Sequence, residues 1–117
     1  MSGTDKAAEA RAAQLSPLFA ALGDVNRLRL VHRLGDGPPR SIAQLAEGLG
    51  LTHQGVTKHL KVLENAGLVD AHRVGRERRY RCRPERVREA QAYLDEVGRE
   101  WDAALLRLKD FVEGNSH

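Results

Sequence analysis

The 117-residue chain lacks the features that mark membrane, secreted or thiolate-metal proteins. No stretch approaches the run of about 20 apolar residues that a membrane span needs. The first six residues lack the charged start and apolar run of a secretion signal. We therefore expect a cytoplasmic protein with no membrane partner. The single cysteine, Cys82, excludes an internal disulfide and a thiolate metal cage within one chain.

Sequence patterns for catalysis are also missing. The chain has no glycine-rich phosphate loop, no set of nucleophile and base, and no pair of carboxylates at a supporting spacing. We therefore expect neither enzymatic activity nor a cofactor. Hydrophobic residues make up 41% of the chain and charged residues 30%, which indicates one globular domain with a modest core.

Positive charge is concentrated in one segment. Residues 72–83 contain six arginines and one acidic residue, whereas residues 1–71 contain eight basic and seven acidic residues. Residues 84–117 contain five basic and eight acidic residues. A concentrated basic patch favours a polyanionic partner more than a diffuse excess of charge would.

The N-terminal part predicts two short helical segments. Residues 5–15 are rich in alanine and would need a partner surface to hold a helix, so we treat 1–15 as a separate N-terminal segment. Ser16 and Pro17 are typical of an N-cap and a first helical residue. They predict a new helix from Pro17 to Leu22.

Two further helices are predicted on either side of a break rich in glycine and proline at residues 35–39. Asp24 can cap the first, which would run to about Leu34. Steps of three residues predict a buried face made of Val25, Leu28, Val31 and Leu34. Ser41 and Gln44 form a capping-box pattern for the second. Its predicted apolar face consists of Ile42, Leu45, Ala46 and Leu49.

The next helix, residues 52–66, carries two different faces. Thr52 is a suitable N-cap, and Val56, Leu60 and Leu63 fall at helical spacing toward a core. At 100° per residue, the opposite side is polar and cationic. Its members are Gln54, Lys58, Lys61 and Asn65, flanked by Thr57. A short connection containing glycine joins this helix to the preceding one, which is the pattern of a helix-turn-helix.

A basic hairpin and a long helix complete the chain. Residues 68–74 and 77–83 predict two strands around Gly75-Arg76, a pair suited to a type II′ turn. Such a hairpin after a helix-turn-helix is typical of a wing. From Pro84 onward, apolar residues step by three and four over 25 positions, from Val87 to Phe111. This helix can bury its stripe against a second copy or against the protomer's own core, and its length favours a dimer.

Together these features resemble the ArsR/SmtB family of bacterial winged-helix repressors. Four runs carry the resemblance: Phe19 to Leu30, Ile42 to Ala46, Val56 to Val69 and Gly75 to Tyr80. The resemblance implies a mainly α fold with a β-hairpin, namely a winged helix-turn-helix over 16–83. It also implies a C-terminal dimerisation helix over 84–113 of the same domain, followed by a tail, 114–117. The implied protein is a homodimeric repressor that binds double-stranded DNA at an inverted repeat in a promoter.

The family's metal sites have no counterpart here. Residues 41–50 contain no cysteine, and residues 84–113 contain no histidine. Zinc prefers about four nitrogen or sulfur ligands. The chain is therefore similar to the branch of the family without metal sites. We expect no metal and no cofactor, and the resemblance does not identify an inducer.

The resemblance and the helical faces assign roles to individual residues. Base reading is expected from Gln54, Thr57 and Lys58. Contact with the DNA backbone is expected from Thr52, His53, Lys61, Arg76, Arg78 and Arg79. Contact between protomers is expected from Leu94, Val97, Trp101, Leu105, Leu108 and Phe111.

Some residues also have ordinary structural interpretations. His59 lies at the edge of the apolar stripe and suits a partly buried structural histidine better than a phosphate contact. His53 suits a surface residue as well as it suits a phosphate or base contact. Cys82 suits a small core residue better than a redox sensor, and Trp101 suits an interface core better than a ligand-stacking ring. The alternative function is a protein-interaction module whose basic hairpin binds an acidic partner.

Overall fold

The structure is a computed structural model that describes residues 3–114, with side chains from Lys6 onward. The elements are α1 (Gly3–Leu22), α2 (Val25–Leu34), β1 (Arg40–Ser41), α3 (Ile42–Ala46), α4 (His53–Asn65), β2 (Val69–Val74), β3 (Glu77–Cys82) and α5 (Pro84–Gly114). The expected mainly helical fold with a β-hairpin and a long C-terminal helix is confirmed. Residues 1 and 2 of the predicted N-terminal segment, and 115–117 of the predicted tail, lie outside the described residues.

The first helix corrects the prediction of a break at Ser16. α1 is continuous from Gly3 to Leu22, with Pro17 inside it. Proline lacks a backbone N–H and removes one helical hydrogen bond, so a break was the expected result. Leu15 and Leu18, which flank the proline, are both buried, and their packing into one core favours a single helical path.

α2 begins where it was predicted but buries a different face. The carboxylate of Asp24 accepts hydrogen bonds from the backbone N–H groups of Asn26 and Arg27, at 2.9 and 3.0 Å. The buried residues are Leu30 and Leu34, whereas Val25 and Leu28 are 67% and 50% exposed. The predicted buried face was therefore wrong for Val25 and Leu28. Steps of three residues rotate by 300°, so four such residues spread over about half of the helix surface.

α3 is shorter than predicted, and a short strand precedes it. The capping box is present, because Ser41 Oγ accepts from the N–H of Gln44 at 3.2 Å and Gln44 Oε1 accepts from the N–H of Ser41 at 2.9 Å. The helix nevertheless ends at Ala46, and Gly48 then takes a positive φ of 75°. Leu45, Ala46 and Leu49 are buried as predicted.

α4 follows the prediction closely. Thr52 Oγ1 accepts a hydrogen bond from the N–H of Gly55 at 2.9 Å, which caps the helix. Val56, Leu60 and Leu63 are fully buried. Gly67 has a φ of 78°, and the N–H of Leu68 reaches the carbonyl of Leu63 at 2.9 Å. This is the Schellman arrangement, in which a left-handed glycine ends the helix.

The sheet has three antiparallel strands in the order β1-β3-β2, so it contains one strand more than the predicted hairpin. β1 pairs Arg40 with Tyr80. The β2-β3 hairpin runs from the Val69–Cys82 pair to the Val74–Glu77 pair, and Gly75 at its turn has a φ of 65°. Among the described residues only glycines have positive φ, so the turn has the φ signs of type II′, as predicted.

The chain divides into two compact units, of which the first ends at Val87 and the second is the remainder of α5 from Arg88. The core of the first unit is formed mainly by leucines of α1 to α4, together with Val56, Leu68, Val69 and Tyr80. α5 is 31 residues long, and at 1.5 Å per residue it extends about 46 Å. No helix within residues 3–114 is long and apolar enough to cross a membrane.

Candidate functional site

The exposed side of α4 is a continuous polar surface. Gln54, Thr57, Lys58 and Lys61 are all exposed, and the buried residues of α4 lie on the opposite side. Within residues 3–114, Gln54 and both lysines have no hydrogen-bond or ion-pair partner, so their donors are available to a ligand. An amide and two ammonium groups on one helical face can donate to base edges and to phosphates.

Two threonine hydroxyls of this region are already used within the helix. Thr57 Oγ1 donates to the carbonyl of His53 at 2.8 Å, which leaves its methyl group and a lone pair for an outside contact. Thr52 Oγ1 accepts from the N–H of Gly55, which leaves its hydroxyl proton free to be donated. An alanine at position 55 would place its Cβ 3.2 Å from Thr52 Oγ1, so glycine keeps room for this cap.

His59 belongs to a polar cluster that joins α2 to α4. Its Nδ1 lies 3.8 Å from Asp24 Oδ2 and 3.4 Å from an Arg27 guanidinium nitrogen, and its side chain is 22% exposed. The pKa of Asp24 is lowered, chiefly because the N–H of Arg27 donates to the carboxylate, and further by the charges of Arg27 and His59. Arg27 also donates to the carbonyl of Ala21. His59 thus sits where a partly buried structural histidine was predicted.

The wing is connected to α4 through Arg78. The guanidinium of Arg78 lies 3.4 Å from Glu64 Oε2 and 5.8 Å from the centre of the Tyr80 ring, while Tyr80 itself is buried. Arg78 therefore lies on the side of the hairpin that carries Tyr80. Its side chain is 56% exposed, so the ion pair is a weak tether that still leaves part of the guanidinium accessible.

The other arginines of the wing occupy different settings. Arg79 Nε pairs with Glu77 Oε1 at 2.6 Å. Arg76 lies in the exposed turn and has no ion-pair partner among the described residues. Arg73 is exposed and lies directly across the hairpin from Arg78. Two like charges at facing positions repel each other, which favours an anionic partner beside them.

Arg73 was missed as a candidate by the sequence reasoning. The signal was present in the predicted turn, because a two-residue turn at Gly75-Arg76 fixes Arg73 opposite Arg78. The basic surface of the hairpin thus includes its first strand as well as its tip and second strand.

The structure favours a packing role for Cys82. It is half-buried, its Sγ lies 3.8 Å from the carbonyl of Val31, and burial raises the pKa of its thiol. A raised pKa disfavours the reactive thiolate. Over the described part of the chain, no group of three or more His, Cys, Asp or Glu side chains is arranged to hold a metal ion.

The C-terminal helix carries an exposed apolar stripe. Of the six predicted contact residues, Val97 is half-buried and the others are 55% to 66% exposed: Leu94, Trp101, Leu105, Leu108 and Phe111. Helical geometry places all six within an arc of about 120°. A stripe of this kind suits a coiled-coil partner.

Comparison with known protein sequences gives relatives that are named as regulators. The helix-turn-helix domain family matches residues 22–72. The chain is 36% identical over 95 residues to the HTH-type transcriptional regulator Rv2034 of Mycobacterium tuberculosis, covering 81% of this chain and 85% of the relative. It is 38% identical over 65 residues to NmtR of the same organism, covering 56% of this chain but about half, 53%, of NmtR.

Solved structures show the same similarity. An ArsR-like transcriptional regulator from Rhodococcus sp. RHA1 superposes with a TM-score of 0.77 and 36% identity, covering 88% of this chain and 94% of its own. Mb0332 from Mycobacterium bovis superposes with a TM-score of 0.63 and 28% identity, covering 86% and 92%. Mb0332 is described as a homodimeric winged helix-turn-helix DNA-binding domain and a possible ArsR-family transcriptional regulator.

Proposed function

The chain belongs to the ArsR/SmtB family of winged helix-turn-helix transcriptional regulators, and from this membership we propose that it is a homodimeric repressor of transcription. It would bind double-stranded DNA at an inverted repeat in a promoter and act in the cytoplasm by blocking polymerase. The proposal is a binding function that needs no catalysis. The observation that carries it is the exposed polar side of α4, whose amide and ammonium donors lack partners in the described structure.

In this proposal α4 enters the major groove and reads bases. The amide of Gln54 can bond adenine in a bidentate manner, and Lys58 can donate to guanine. Thr57 contributes through its methyl group, which suits a thymine methyl, because its hydroxyl proton is engaged by the carbonyl of His53.

Contacts with the DNA backbone would fix the register of α4. Thr52 and His53 lie at the first turn of the helix, where a hydroxyl proton and an imidazole can reach a phosphate. Lys61 lies two turns later on the same face as Gln54 and would hold a phosphate across the groove.

The arginines of the wing would contribute to DNA binding in different ways. Arg76, at the tip, has no partner among the residues that the structure describes and would bind phosphate directly. Arg78 would reach the backbone while its ion pair with Glu64 holds the wing against α4. Arg79 would contribute less, because Glu77 already neutralises part of its charge. Arg73 joins the set through its position opposite Arg78.

The apolar stripe of α5 would form the dimer interface. A leucine or phenylalanine side chain buried in an interface contributes roughly 1.5 to 3 kcal/mol. The stripe exposes four such residues and Trp101 in each protomer, which is a strong reason to pair. A symmetric dimer would place two α4 helices in successive major grooves, with half-sites about 34 Å apart.

Selection from a random duplex library tests this function. The wild-type protein should enrich an inverted repeat, whereas enrichment without symmetry would contradict the dimeric proposal.

Replacing Trp101 with aspartate should shift the protein from dimer to monomer in sedimentation and weaken DNA binding. Replacing the exposed Leu106, which helical geometry places off the stripe, with aspartate is the matched control and should leave both unchanged. No enrichment of any DNA, together with capture of an acidic protein partner, would favour the interaction module instead.

A further inference from the structure

A surface cleft lies between α2 and the turn that follows α3. It has a volume of about 430 Å³ and is lined by Val25, Leu28, Arg29, His32, Arg33 and Leu49. None of these residues belongs to the proposed DNA contacts or to the apolar stripe of α5. We propose that this cleft binds a small amphipathic anion, an aliphatic or aromatic carboxylate, and that the bound anion regulates DNA binding.

The lining residues define the chemistry of the ligand. Val25, Leu28 and Leu49 supply an apolar floor, and Val25 and Leu28 remain 67% and 50% exposed although they are large apolar side chains. Arg29 and Arg33 supply a cationic rim, the imidazole of His32 adds a hydrogen-bonding group, and no acidic residue lines the cleft. An apolar floor with convergent charges of one sign is typical of a small-molecule site, whose volume is usually about 300 to 1,000 Å³.

The same chemistry argues against a DNA phosphate as the occupant. A phosphate group needs cations and hydrogen-bond donors but gains nothing from the exposed Val25 and Leu28. A ligand with a hydrocarbon portion gains roughly 25 cal/mol for each Å² of apolar surface that it buries on such a floor. The carboxylate would meet Arg29, His32 and Arg33 at the rim, and His32 is exposed with no partner among the described residues.

Arg33 connects the cleft to the helix-turn-helix. One of its guanidinium nitrogens donates to the carbonyl of Leu45 at 3.2 Å and also to the carbonyl of Glu47. These carbonyls belong to the last turn of α3 and the residue that ends it. A carboxylate in the cleft would compete with them for the guanidinium, because a charged acceptor binds it more strongly than a neutral carbonyl does. Loss of these bonds would loosen the turn that positions Thr52 and α4.

The binding step can be tested without DNA. Isotope-labelled protein would be titrated with octanoate and with 1-naphthoate, and with octan-1-ol as a neutral control, while amide and methyl signals are recorded. We expect at least one of the two anions to shift the signals of Val25, Leu28 and Leu49 more strongly than octan-1-ol does. Arg29→Ala should weaken anion binding about tenfold. Arg99→Ala on α5 makes the same change of charge and should leave it unchanged.

Three results would overturn the binding step. One is the absence of cleft shifts with both anions, and another is an equal response to octan-1-ol. The third is a cleft that a second copy covers, which would appear as Leu28→Asn shifting the protein from dimer to monomer in sedimentation. Circular dichroism of each variant would show that it is folded, so that a lost response reports on the cleft.

The regulatory step rests on the proposed DNA-binding function and has its own readout. The anion that binds should lower the affinity of the wild-type protein for its selected DNA, and it should have little effect at the same concentration on Arg29→Ala. Anion binding with unchanged DNA affinity would refute the regulatory step alone. Weaker DNA binding and a flatter salt dependence in Arg29→Ala without anion would instead assign the cleft to a DNA phosphate. If no DNA binds at all, the NMR titration still decides the binding step.

Discussion

Replacing Arg76 with alanine tests the role of the wing most sharply. Arg76 occupies the exposed turn of the β2-β3 hairpin and has no ion-pair partner within residues 3–114. Its loss should therefore disturb neither the fold nor an internal network. If Arg76 binds phosphate, the variant should bind all DNA sequences more weakly and should depend less on salt.

The expected magnitude follows from counterion release. Each phosphate contact contributes about 0.9 to the slope of log K against log salt concentration. A dimer has two wings, so the variant should lose about 1.8 of slope if each Arg76 makes one contact. Over a fourfold rise in salt, such as about 50 to 200 mM, the wild-type protein should thus lose about tenfold more affinity than the variant does.

Fluorescence anisotropy with a labelled duplex at several salt concentrations would measure this slope. Arg99→Ala on α5 is the control, because it removes the same charge from an exposed position outside the wing. Arg78→Ala is an informative comparison, since it also breaks the ion pair with Glu64 and should weaken binding with a smaller change of slope. An Arg76→Ala slope equal to that of the wild-type protein would refute phosphate contact by the wing tip.

Three further variants test base reading by α4, the packing of the core and the capping of α2. Gln54→Ala should change the preferred base at one position of each half-site, since a bidentate contact discriminates by about 1 to 3 kcal/mol; an unchanged selected sequence would remove Gln54 from the base readers. Leu60→Ala, at a fully buried position of α4, should lower the free energy of unfolding by about 2 to 5 kcal/mol in urea titration, and a loss below about 1 kcal/mol would contradict the packing. Asp24→Ala should lower the melting temperature at neutral pH. The folded state lowers the pKa of Asp24. The stability that Asp24 contributes is therefore complete above the ordinary carboxyl pKa and is lost as the pH falls through the lower pKa of the folded state. The melting temperatures of the variant and the wild-type protein should thus converge in acid. A constant difference from pH 7 to the acid range would contradict this linkage.

Local signals made much of the fold predictable. The caps at Asp24, Ser41 and Thr52 each depend on a side-chain oxygen and an N–H two or three residues later, so the sequence contains both partners. Gly75 has a positive φ, which glycine adopts easily, so the hairpin turn was predictable from this one residue. The turn in turn defines the pairing of the two strands.

The wrong predictions concern features that depend on contacts between distant parts of the chain. Spacing alone cannot tell which side of α2 meets the core, and Val25 and Leu28 were wrongly placed inside. β1 has two residues and exists only because Arg40 pairs with Tyr80, forty positions later in the chain. The continuity of α1 through Pro17 likewise depends on the core that Leu15 and Leu18 enter.

In the candidate site, too, local features were predictable from the sequence and contacts between elements were not. Helical periodicity was sufficient to place Gln54, Thr57, Lys58 and Lys61 on the exposed side of α4. Periodicity could not predict the ion pair between Arg78 and Glu64, because that contact joins two elements through long, flexible side chains. The cleft beside α2 was also invisible to the sequence, since it depends on the exposure of Val25 and Leu28 that the spacing had misassigned.

Footprinting of the DNA that flanks the gene would show whether two copies of α4 read an inverted repeat. The wild-type protein should protect two half-sites about 10 base pairs apart, centre to centre. We expect neither zinc nor a chelator to change the pattern, since residues 41–50 contain no cysteine and residues 84–113 contain no histidine to bind the metal. Protection of a single half-site, or no protection at moderate salt, would contradict binding of an inverted repeat by a dimer.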